Sequence, residues 1–311
     1  MPTTSCFDGF ETYVIENERL RLTLLPSLGG KAISLINKQT GREWLDRPSG
    51  RPFQRPTNGS FWGDWDRCGW DEMIPTIDPC TVTLHDGSVL YAPDHGEVWS
   101  LPWSIYREDY QTTVLSVEGP IWPYSLEKRI SLNGSTIQFS YRLLNKSKLA
   151  LPFIWAPHPI LKAREGMQII LPDSVDNVVV AVASTGWLGE RDSSWNWPVA
   201  EVQGKLNSLD SMPALSTNRF QKLYVNPDLH CSWCMVLDPS TGEAFRFDYD
   251  PSQLPYTGIW MNAGGWAGEY QVALEPSTGY LDHLGEAFAT GRCASIEAGE
   301  GRSWELACSI T

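Results

Sequence analysis

The stretch Tyr270-Gln271-Val272-Ala273-Leu274-Glu275-Pro276-Ser277-Thr278-Gly279 has the pattern of a β-strand that carries a carboxylate at its end. Side chains on a strand alternate between two faces, so Glu275 is expected to share one face with Gln271 and Ala273. Pro276 removes a backbone donor and a Ser-Thr-Gly turn follows, which predicts that the strand ends at Glu275. A carboxylate beside a small alanine on an inward face suits a cavity, although an isolated glutamate at a strand end is more often a rim residue.

Composition limits the function classes. The chain has 311 residues, of which 42% are hydrophobic and 20% charged, as in a globular protein rather than a disordered one. Its 24 basic and 37 acidic residues give a formal charge of −13, which argues against binding to nucleic acid or to an anionic membrane. Fifteen tryptophans are present; most are expected in the core, but a few offer the flat faces on which sugars stack.

The cysteines and the N-terminus indicate a soluble cytoplasmic protein. Seven cysteines are scattered through the chain, and the one CxxC pattern, Cys231 to Cys234, has no second CxxC with which to hold zinc. Free thiols are therefore expected. No basic and apolar signal segment is apparent at the N-terminus, and the apolar runs are too short to span a membrane.

Short alternating runs separated by Gly, Pro, Asn and Asp predict an all-β sandwich or barrel. Tyr13–Asn17 and Leu20–Pro26 are expected to form a first hairpin, and Thr136–Asn145 alternates over its whole length. Helical patterns are nearly absent, and neither a linker nor an internal repeat is apparent. Residues 1–311 are therefore predicted to form a single domain.

Residues 46–80 are rich in Pro, Gly and Trp and show little regular pattern. Long irregular segments in a compact domain are usually functional or disordered, and the aromatic content here argues against disorder. The segment is therefore predicted to be an ordered loop that covers a site. Asp71 and Glu72 are notable in it, because they interrupt an otherwise apolar and aromatic run.

Two histidines could carry chemistry. His158 lies between Pro157 and Pro159, which fix an extended backbone and would hold the imidazole rigidly against a substrate atom. His95 and Glu97 lie in the polar turn Asp94-His95-Gly96-Glu97. These titratable groups could bind sugar hydroxyls or a metal, or belong to a solvated turn. A third metal ligand is not identifiable, so no metal is expected.

These motifs, taken in chain order, resemble those of the aldose 1-epimerases, the galactose mutarotase-like family, over residues 10 to 311. Asp94-His95-Gly96 followed by Trp103 resembles the family's His-Gly motif, and Pro157-His158-Pro159 resembles its second histidine. Tyr256-Thr257-Gly258 resembles the family's late strand, and Leu274-Glu275-Pro276 resembles its late glutamate.

The resemblance implies a galactose-mutarotase-like β-sandwich, or supersandwich, with an open concave face that binds a small carbohydrate. It implies cofactor-free interconversion of sugar anomers by a monomer or a homodimer. His158 would be the general acid that protonates the ring oxygen, and Glu275 the general base that accepts the proton of the anomeric hydroxyl. His95 would bind and orient the sugar.

The chain departs from the family in its sugar contacts, because the early Asn-Arg loop and the later Asp-His-Asn segment are not found. Arg67, Asp71 and Glu72 are candidates to replace them, as is the segment Gly258–Trp266. Within that segment Asn262 could bind a sugar hydroxyl, and either Trp260 or Trp70 could stack on a sugar face.

Two other functions remain open at this stage. A non-catalytic sugar-binding or regulatory protein would keep the same sandwich and its aromatic platform. A polysaccharide lyase or glycosidase is conceivable, because related sandwiches host such reactions. The lyase would need a basic groove, and retaining hydrolysis would need a second carboxylate, such as Glu72 or Glu97, near Glu275.

Overall fold

A computed structural model describes residues 5–47, 51–108 and 112–311. The strands in these ranges are, in chain order, β1 (Cys6–Phe7), β2 (Phe10–Glu11), β3 (Tyr13–Glu16), β4 (Leu20–Leu25), β5 (Lys31–Asn37), β6 (Trp70–Met73), β7 (Cys80–Thr83), β8 (Val89–Ala92), β9 (Ser104–Arg107), β10 (Thr112–Glu118), β11 (Tyr124–Asn133), β12 (Thr136–Asn145), β13 (Leu151–Phe153), β14 (Ala156–Pro159), β15 (Leu161–Lys162), β16 (Gln168–Ile170), β17 (Asn177–Ala183), β18 (Ser194–Asn196), β19 (Val199–Val202), β20 (Lys205–Ser208), β21 (Arg219–Val225), β22 (Trp233–Asp238), β23 (Glu243–Asp248), β24 (Tyr256–Ala263), β25 (Tyr270–Ser277), β26 (Ala294–Ile296) and β27 (Gly301–Ile310). One short helix, α1 (Leu284–Ala289), and 3-10 turns at Trp62–Asp64, Val98–Ser100 and Leu215–Thr217 complete the elements of these ranges.

Three large antiparallel sheets form the body of the protein. The eight-stranded sheet has the order β16-β22-β23-β27-β12-β11-β10-β9, the five-stranded sheet has the order β14-β6-β5-β4-β3, and the six-stranded sheet has the order β15-β25-β24-β21-β17-β18. The pairs β1-β2, β7-β8, β13-β26 and β19-β20 form smaller sheets. The all-β class predicted from alternation is confirmed, including the hairpin β3-β4 and the strand β12.

Aromatic side chains fill the space between the eight-stranded and five-stranded sheets. Trp70 on β6 packs against Phe139 on β12, with ring centroids 5.0 Å apart, and against Phe247 on β23 at 5.4 Å. Tyr141 on β12 stacks on Trp304 of β27 at 5.4 Å. Burying an aromatic side chain removes about 150–250 Å² from water, so this layer is a major source of stability. Most of the tryptophans lie in the core, as expected.

The predicted loop at 46–80 contains more regular structure than its sequence pattern indicated. Its residues 48–50 lie outside the described ranges, and β6 runs through its second half. All four residues of β6 are buried, so the strand lacks the polar and apolar alternation that reveals a half-buried strand. The 3-10 turn Trp62–Asp64 in the same segment reaches the cavity described below.

The end predicted for β25 is wrong by two residues. The strand continues past Glu275, and Pro276 pairs with Thr257 of β24. The other edge of β25 pairs with β15 only at Gln271 and Val272. Among the described residues, no strand pairs with that edge at Pro276, so the backbone N–H that proline lacks is not needed there. The predicted alternation is confirmed, because Gln271 and Glu275 both face the cavity.

All seven cysteines lie in the described residues, and none of them forms a disulfide. Cys234 lies on β22 and Cys231 just before it, and both thiols are buried. Within the described ranges, no helix is long and apolar enough to cross a membrane.

Candidate active site

A cavity of about 260 Å³ lies where the six-stranded sheet meets β14 of the five-stranded sheet. Strands β21, β24 and β25 supply Lys222, Trp260 and Glu275 to its lining, and β14 supplies His158. The 3-10 turn at Trp62 and the turn at His95 complete the lining of the cavity. The cavity therefore collects both residues predicted to be catalytic.

His158 is held by the pairing of β14 with β6. It lies directly opposite Asp71 in the antiparallel register, and its two flanking prolines, Pro157 and Pro159, are both buried. The side chain is 6% exposed. The imidazole is therefore oriented by its backbone and by packing, and its Nδ1 is buried without a hydrogen-bond partner among the described residues.

A tight turn brings His95 to His158. His95 has a positive φ of 54° and donates its backbone N–H to the Ile77 carbonyl at 2.7 Å. Gly96 also has a positive φ, and a Cβ there would lie 1.9 Å from the Ile74 carbonyl oxygen, so only glycine fits. The two imidazole rings lie 5.0 Å apart.

Trp62 packs against both histidines. Its ring stacks on His95 at 4.9 Å and meets His158 nearly edge-on at 4.7 Å. Two carboxylates fix this indole: Trp62 donates its backbone N–H to Asp94 Oδ2 at 2.7 Å and its Nε1–H to Asp71 Oδ2 at 3.0 Å. Asp94 Oδ2 also lies 3.1 Å from His95 Nδ1. The two carboxylates thus position the aromatic wall and one imidazole.

Glu275 belongs to a buried charge network in the lining of the cavity. Lys222 Nζ lies 2.6 Å from Glu275 Oε2 and 2.8 Å from Asp282 Oδ1. Tyr224 donates its hydroxyl to Asp282 Oδ1 at 2.8 Å. Both carboxylates are at most 7% exposed, so each depends on the lysine for charge compensation.

The pKa values of the proposed acid and base move toward each other. Burial lowers the pKa of His158 well below its ordinary range, and the nearby His95 and Lys222 lower it further. Burial raises the pKa of Glu275, the Lys222 ammonium opposes this, and the Asp282 carboxylate adds to it. Although burial lowers the pKa of Lys222, Asp282 and Glu275 raise it overall, so the lysine is charged.

Three of the predicted substrate contacts meet at Trp266. Trp260 lines the cavity, and its ring lies 6.1 Å from that of Trp266. Asn262 donates to the Trp266 carbonyl at 2.8 Å and accepts from its backbone N–H at 3.1 Å. Arg67 lies over the Trp266 ring at 5.3 Å and pairs with Glu269 at 2.8 Å. Asn262 and Arg67 therefore support an aromatic wall of the cavity.

The other predicted contacts are engaged within the protein. Asp71 Oδ2 lies 3.2 Å from Lys31 Nζ, and burial raises the pKa of Asp71 to about 6. Glu97 accepts the Ile121 backbone N–H at 2.8 Å, and burial raises the pKa of Glu97 to about 7. Trp70, proposed as a stacking platform, lies in the core.

Glu72 is also a core residue. It accepts hydrogen bonds from Tyr141 at 3.1 Å and from Trp155 Nε1 at 2.9 Å, and it pairs with Lys128. Burial raises the pKa of Glu72, while Lys128 opposes this. Its carboxylate therefore serves the contact between two sheets rather than the lining of the cavity.

Comparison with solved structures identifies the fold. No family model and no curated protein matches this sequence. The Slr1438 protein from Synechocystis sp. PCC 6803 is 18% identical, with a TM-score of 0.72 over 100% of this chain and 99% of its own. A galactose mutarotase-like protein from Lactobacillus casei ATCC 334 is 14% identical, with a TM-score of 0.66 over 96% of this chain and 100% of its own. This chain has the galactose mutarotase-like fold.

A third match has the same fold. A protein from Escherichia coli K12 that is provisionally described as an aldose 1-epimerase is 16% identical, with a TM-score of 0.69 over 96% of this chain and 98% of its own. The galactose mutarotase-like fold expected from the motifs at His95, His158 and Glu275 is thereby confirmed. Identities this low concern the fold, and the reaction has to be argued from the site.

Sequence reasoning missed Lys222, Asp282 and Gln271 as residues that line this cavity. One local signal was available for Lys222, because it lies between Phe220 and Tyr224 on the same face of β21. A lysine between two aromatic side chains on one face of a strand is expected to have a buried counter-ion. No local signal pairs Lys222 with Asp282, which lies 60 positions later in a turn.

Proposed function

We propose that this protein is an aldose 1-epimerase-like isomerase, a mutarotase that interconverts the α and β anomers of a sugar. The observation that carries the proposal is the arrangement of Glu275 and His158, which come from different sheets and line one cavity. Anomerisation needs one group that accepts a proton from the anomeric hydroxyl and another that donates a proton to the ring oxygen. A carboxylate and an imidazole on opposite sides of a sugar meet this need.

The reaction proceeds by opening and closing the ring. The step needs Glu275 ionised and His158 protonated as the imidazolium. Glu275 accepts the proton of the anomeric hydroxyl while the bond between the anomeric carbon and the ring oxygen breaks, and the His158 imidazolium donates its proton to that oxygen and becomes neutral. The open-chain aldehyde turns about the bond next to its carbonyl carbon. The ring then closes on the other face, as the ring hydroxyl returns its proton to His158 and Glu275 returns its proton to the new anomeric oxygen.

The pKa directions support this exchange. Burial raises the pKa of Glu275 and lowers that of His158, so the two groups approach each other in proton affinity. A lower pKa makes the His158 imidazolium a stronger acid, and a higher pKa makes the Glu275 carboxylate a stronger base, which suits each group to the step that opens the ring.

The walls of the cavity suit a sugar. Trp62, Trp260 and Trp266 present aromatic faces, which pack against the C–H faces of a pyranose. His95, held by Asp94 at 3.1 Å, is placed to orient a hydroxyl. The descriptions of the Lactobacillus casei and Escherichia coli proteins, one galactose mutarotase-like and the other provisionally an aldose 1-epimerase, agree with this proposal.

A non-catalytic sugar-binding protein is the second candidate, and the ion pair between Lys222 and Glu275 favours it. A carboxylate 2.6 Å from an ammonium group is a weaker base than a free one. Such a protein would bind sugars in the same cavity and would leave their rate of anomerisation unchanged. Glu72 and Glu97, the second carboxylates expected for a retaining hydrolase, are instead engaged inside the protein.

The test is polarimetry of freshly dissolved α-anomers of several aldoses with the protein and its variants. We expect acceleration by the wild type and a loss of about 100-fold or more in both Glu275→Gln and His158→Ala. His85→Ala and Glu18→Gln, which alter exposed residues, are matched controls and should keep full activity. Full activity in both site variants would refute the proposed acid and base. Binding without acceleration by the wild type would support the second candidate.

A further inference from the structure

We infer that the sugar taken by this cavity carries a protonated amino group and no anionic group. The inference names the substrate class of the proposed isomerase, and it rests on the proposed function where the reaction is concerned. The binding of the sugar can be measured separately from the reaction. The inference starts from the charges that line the cavity. Four carboxylates belong to the lining, namely those of Asp78, Asp94, Glu275 and Asp282, against one lysine, Lys222.

The positive charge of Lys222 is fully engaged. Its ammonium group contacts Glu275 and Asp282 at 2.6 and 2.8 Å, so it offers little attraction to a phosphate or a carboxylate on a substrate. A buried ammonium between two carboxylates would have to give up one of them to bind an anion. The two histidines do not reverse this balance, because His158 has a lowered pKa and a charged His95 would still leave the carboxylates in excess.

Asp78 is the acidic group left for a ligand. Its carboxylate lies on the wall between the main cavity and an adjoining hollow of about 160 Å³, which it shares with Asp282 and Val182. Asp78 is exposed to solvent. Partial desolvation and then repulsion from the Asp282 carboxylate raise its pKa, while Lys222 and His95 oppose the rise. A cationic ligand relieves this repulsion, whereas an anionic one increases it.

Arg191 is a cation in the lining of the adjoining hollow. Its guanidinium forms an ion pair with Glu286 of α1. Both partners are about half exposed, so the pair is screened by solvent. Arg191 therefore does little to offset the carboxylates of the main cavity.

The buried side chain of Gln271 independently indicates a ligand that donates hydrogen bonds. Gln271 is 1% exposed, and its Nε2 donates to Asp46 Oδ2 at 2.8 Å and to the Arg67 carbonyl at 3.1 Å. These two bonds fix the amide, Gln271 belongs to the lining of the cavity, and its Oε1 is buried without a partner among the described residues. A buried acceptor left unpaired is costly, so a ligand N–H or O–H is expected there.

An amino sugar satisfies these features together. An ammonium group has three donors and no acceptor, which matches a cavity whose free groups are the acceptors Gln271 Oε1 and the Asp78 carboxylate. The aromatic walls, including Trp62 and Trp260, also attract a cation through the negative faces of their rings.

The experiment is isothermal titration calorimetry at low ionic strength and about pH 6.5, where an amino sugar is protonated. The probes are two matched series, glucose and galactose, each with its 2-amino, 6-phosphate and uronate forms. In the preferred series we expect the amino sugar to bind about fivefold more tightly than the neutral parent, and both anionic forms to bind at least about tenfold more weakly. Anomerisation rates measured on the same samples test the proposed function separately.

Asp78→Asn tests the residue. This variant should bring the affinity for the amino sugar to within about twofold of the affinity for the neutral parent. Glu18→Gln, which removes one charge from an exposed position in the first hairpin, should keep the preference. Equal or tighter binding of a 6-phosphate or a uronate, an amino sugar with no advantage, or binding of none of the probes would overturn the inference.

Discussion

Lys222 controls the protonation of the proposed base, because its ammonium group is the only cation in contact with Glu275 among the described residues. A cation lowers the pKa of a neighbouring carboxyl, so replacing Lys222 with glutamine should raise the pKa of Glu275 further. Glu275 acts as a base only when it is ionised. The acid limb of the pH–rate profile of Lys222→Gln should therefore move to higher pH.

The matched control for this prediction is Lys222→Arg, which keeps the positive charge. The acid limb of its pH–rate profile should lie at nearly the same pH as in the wild type, even if the rate falls because the guanidinium is larger. Profiles of kcat/KM measured across the acid range for the three proteins decide the matter. An unshifted acid limb in Lys222→Gln would mean that Glu275 is not the group that titrates.

Pairing between strands β24 and β25 places the proposed base. Gly258 lies directly opposite Glu275 in this pair. A Cβ at position 258 would lie 3.2 Å from Tyr224 Cζ, closer than most packed atoms approach, and 3.4 Å from Glu275 Cβ. Tyr224 in turn holds Asp282, which shares Lys222 with Glu275. The glycine therefore leaves space for the whole network.

Gly258→Ala should lower kcat/KM by about tenfold, because displacing a catalytic group by a fraction of an ångström is costly. Its thermal stability should change only modestly, since the added methyl group crowds one side chain. The control is Gly301→Ala on β27, where the added Cβ would meet the Leu143 carbonyl at an ordinary 3.5 Å. Full activity in Gly258→Ala would show that the network tolerates displacement.

The strands that alternate could be predicted because the pattern is local. β12 spans the predicted Thr136–Asn145, since one of its faces packs on the core and the other meets solvent. β6 could not be predicted, because it is buried on both faces, and the end of β25 was missed because only its pairing shows that Pro276 is tolerated. The local sequence pattern therefore predicts that a strand exists, whereas its pairing with neighbouring strands determines where it ends.

The residues of the candidate site could also be predicted only where local sequence motifs mark them. His95, His158 and Glu275 could be proposed because short motifs surround each of them. Lys222 and Asp282 could not, because their contact depends on β21 lying beside β24 and on the turn after β25. Glu72 is the opposite case, a residue that was predicted for the site and does not line it. Its position in an aromatic segment suggested a sugar contact, but in the structure it joins two packed sheets.

The two large sheets around the core are joined by a buried ion pair. Glu72 on β6 pairs with Lys128 on β11 and accepts bonds from Tyr141 and Trp155, and both charged groups are 2% exposed. Removing one partner of such a pair leaves the other charge buried and uncompensated. Glu72→Gln should therefore lower the free energy of unfolding by about 3–5 kcal/mol.

Urea unfolding measures this loss, and the double variant Glu72→Leu with Lys128→Met is the control. Removing both charges should recover most of the stability, because the apolar replacements suit the surrounding aromatic layer. The Kd for a bound sugar should be unchanged in folded Glu72→Gln. Weaker binding with unchanged stability would instead support a direct contact between Glu72 and the sugar.

The central claim is that Glu275 and His158 anomerise a sugar in the cavity between the sheets. Two-dimensional exchange NMR on equilibrated sugars tests it most directly, because cross-peaks between α and β anomers report their interconversion without any net reaction. The account predicts faster exchange of at least one sugar with the wild type, and exchange at the uncatalysed rate with His158→Ala and with Glu275→Gln. Exchange that stays fast in both variants, or that the wild type never accelerates for any sugar it binds, would contradict it.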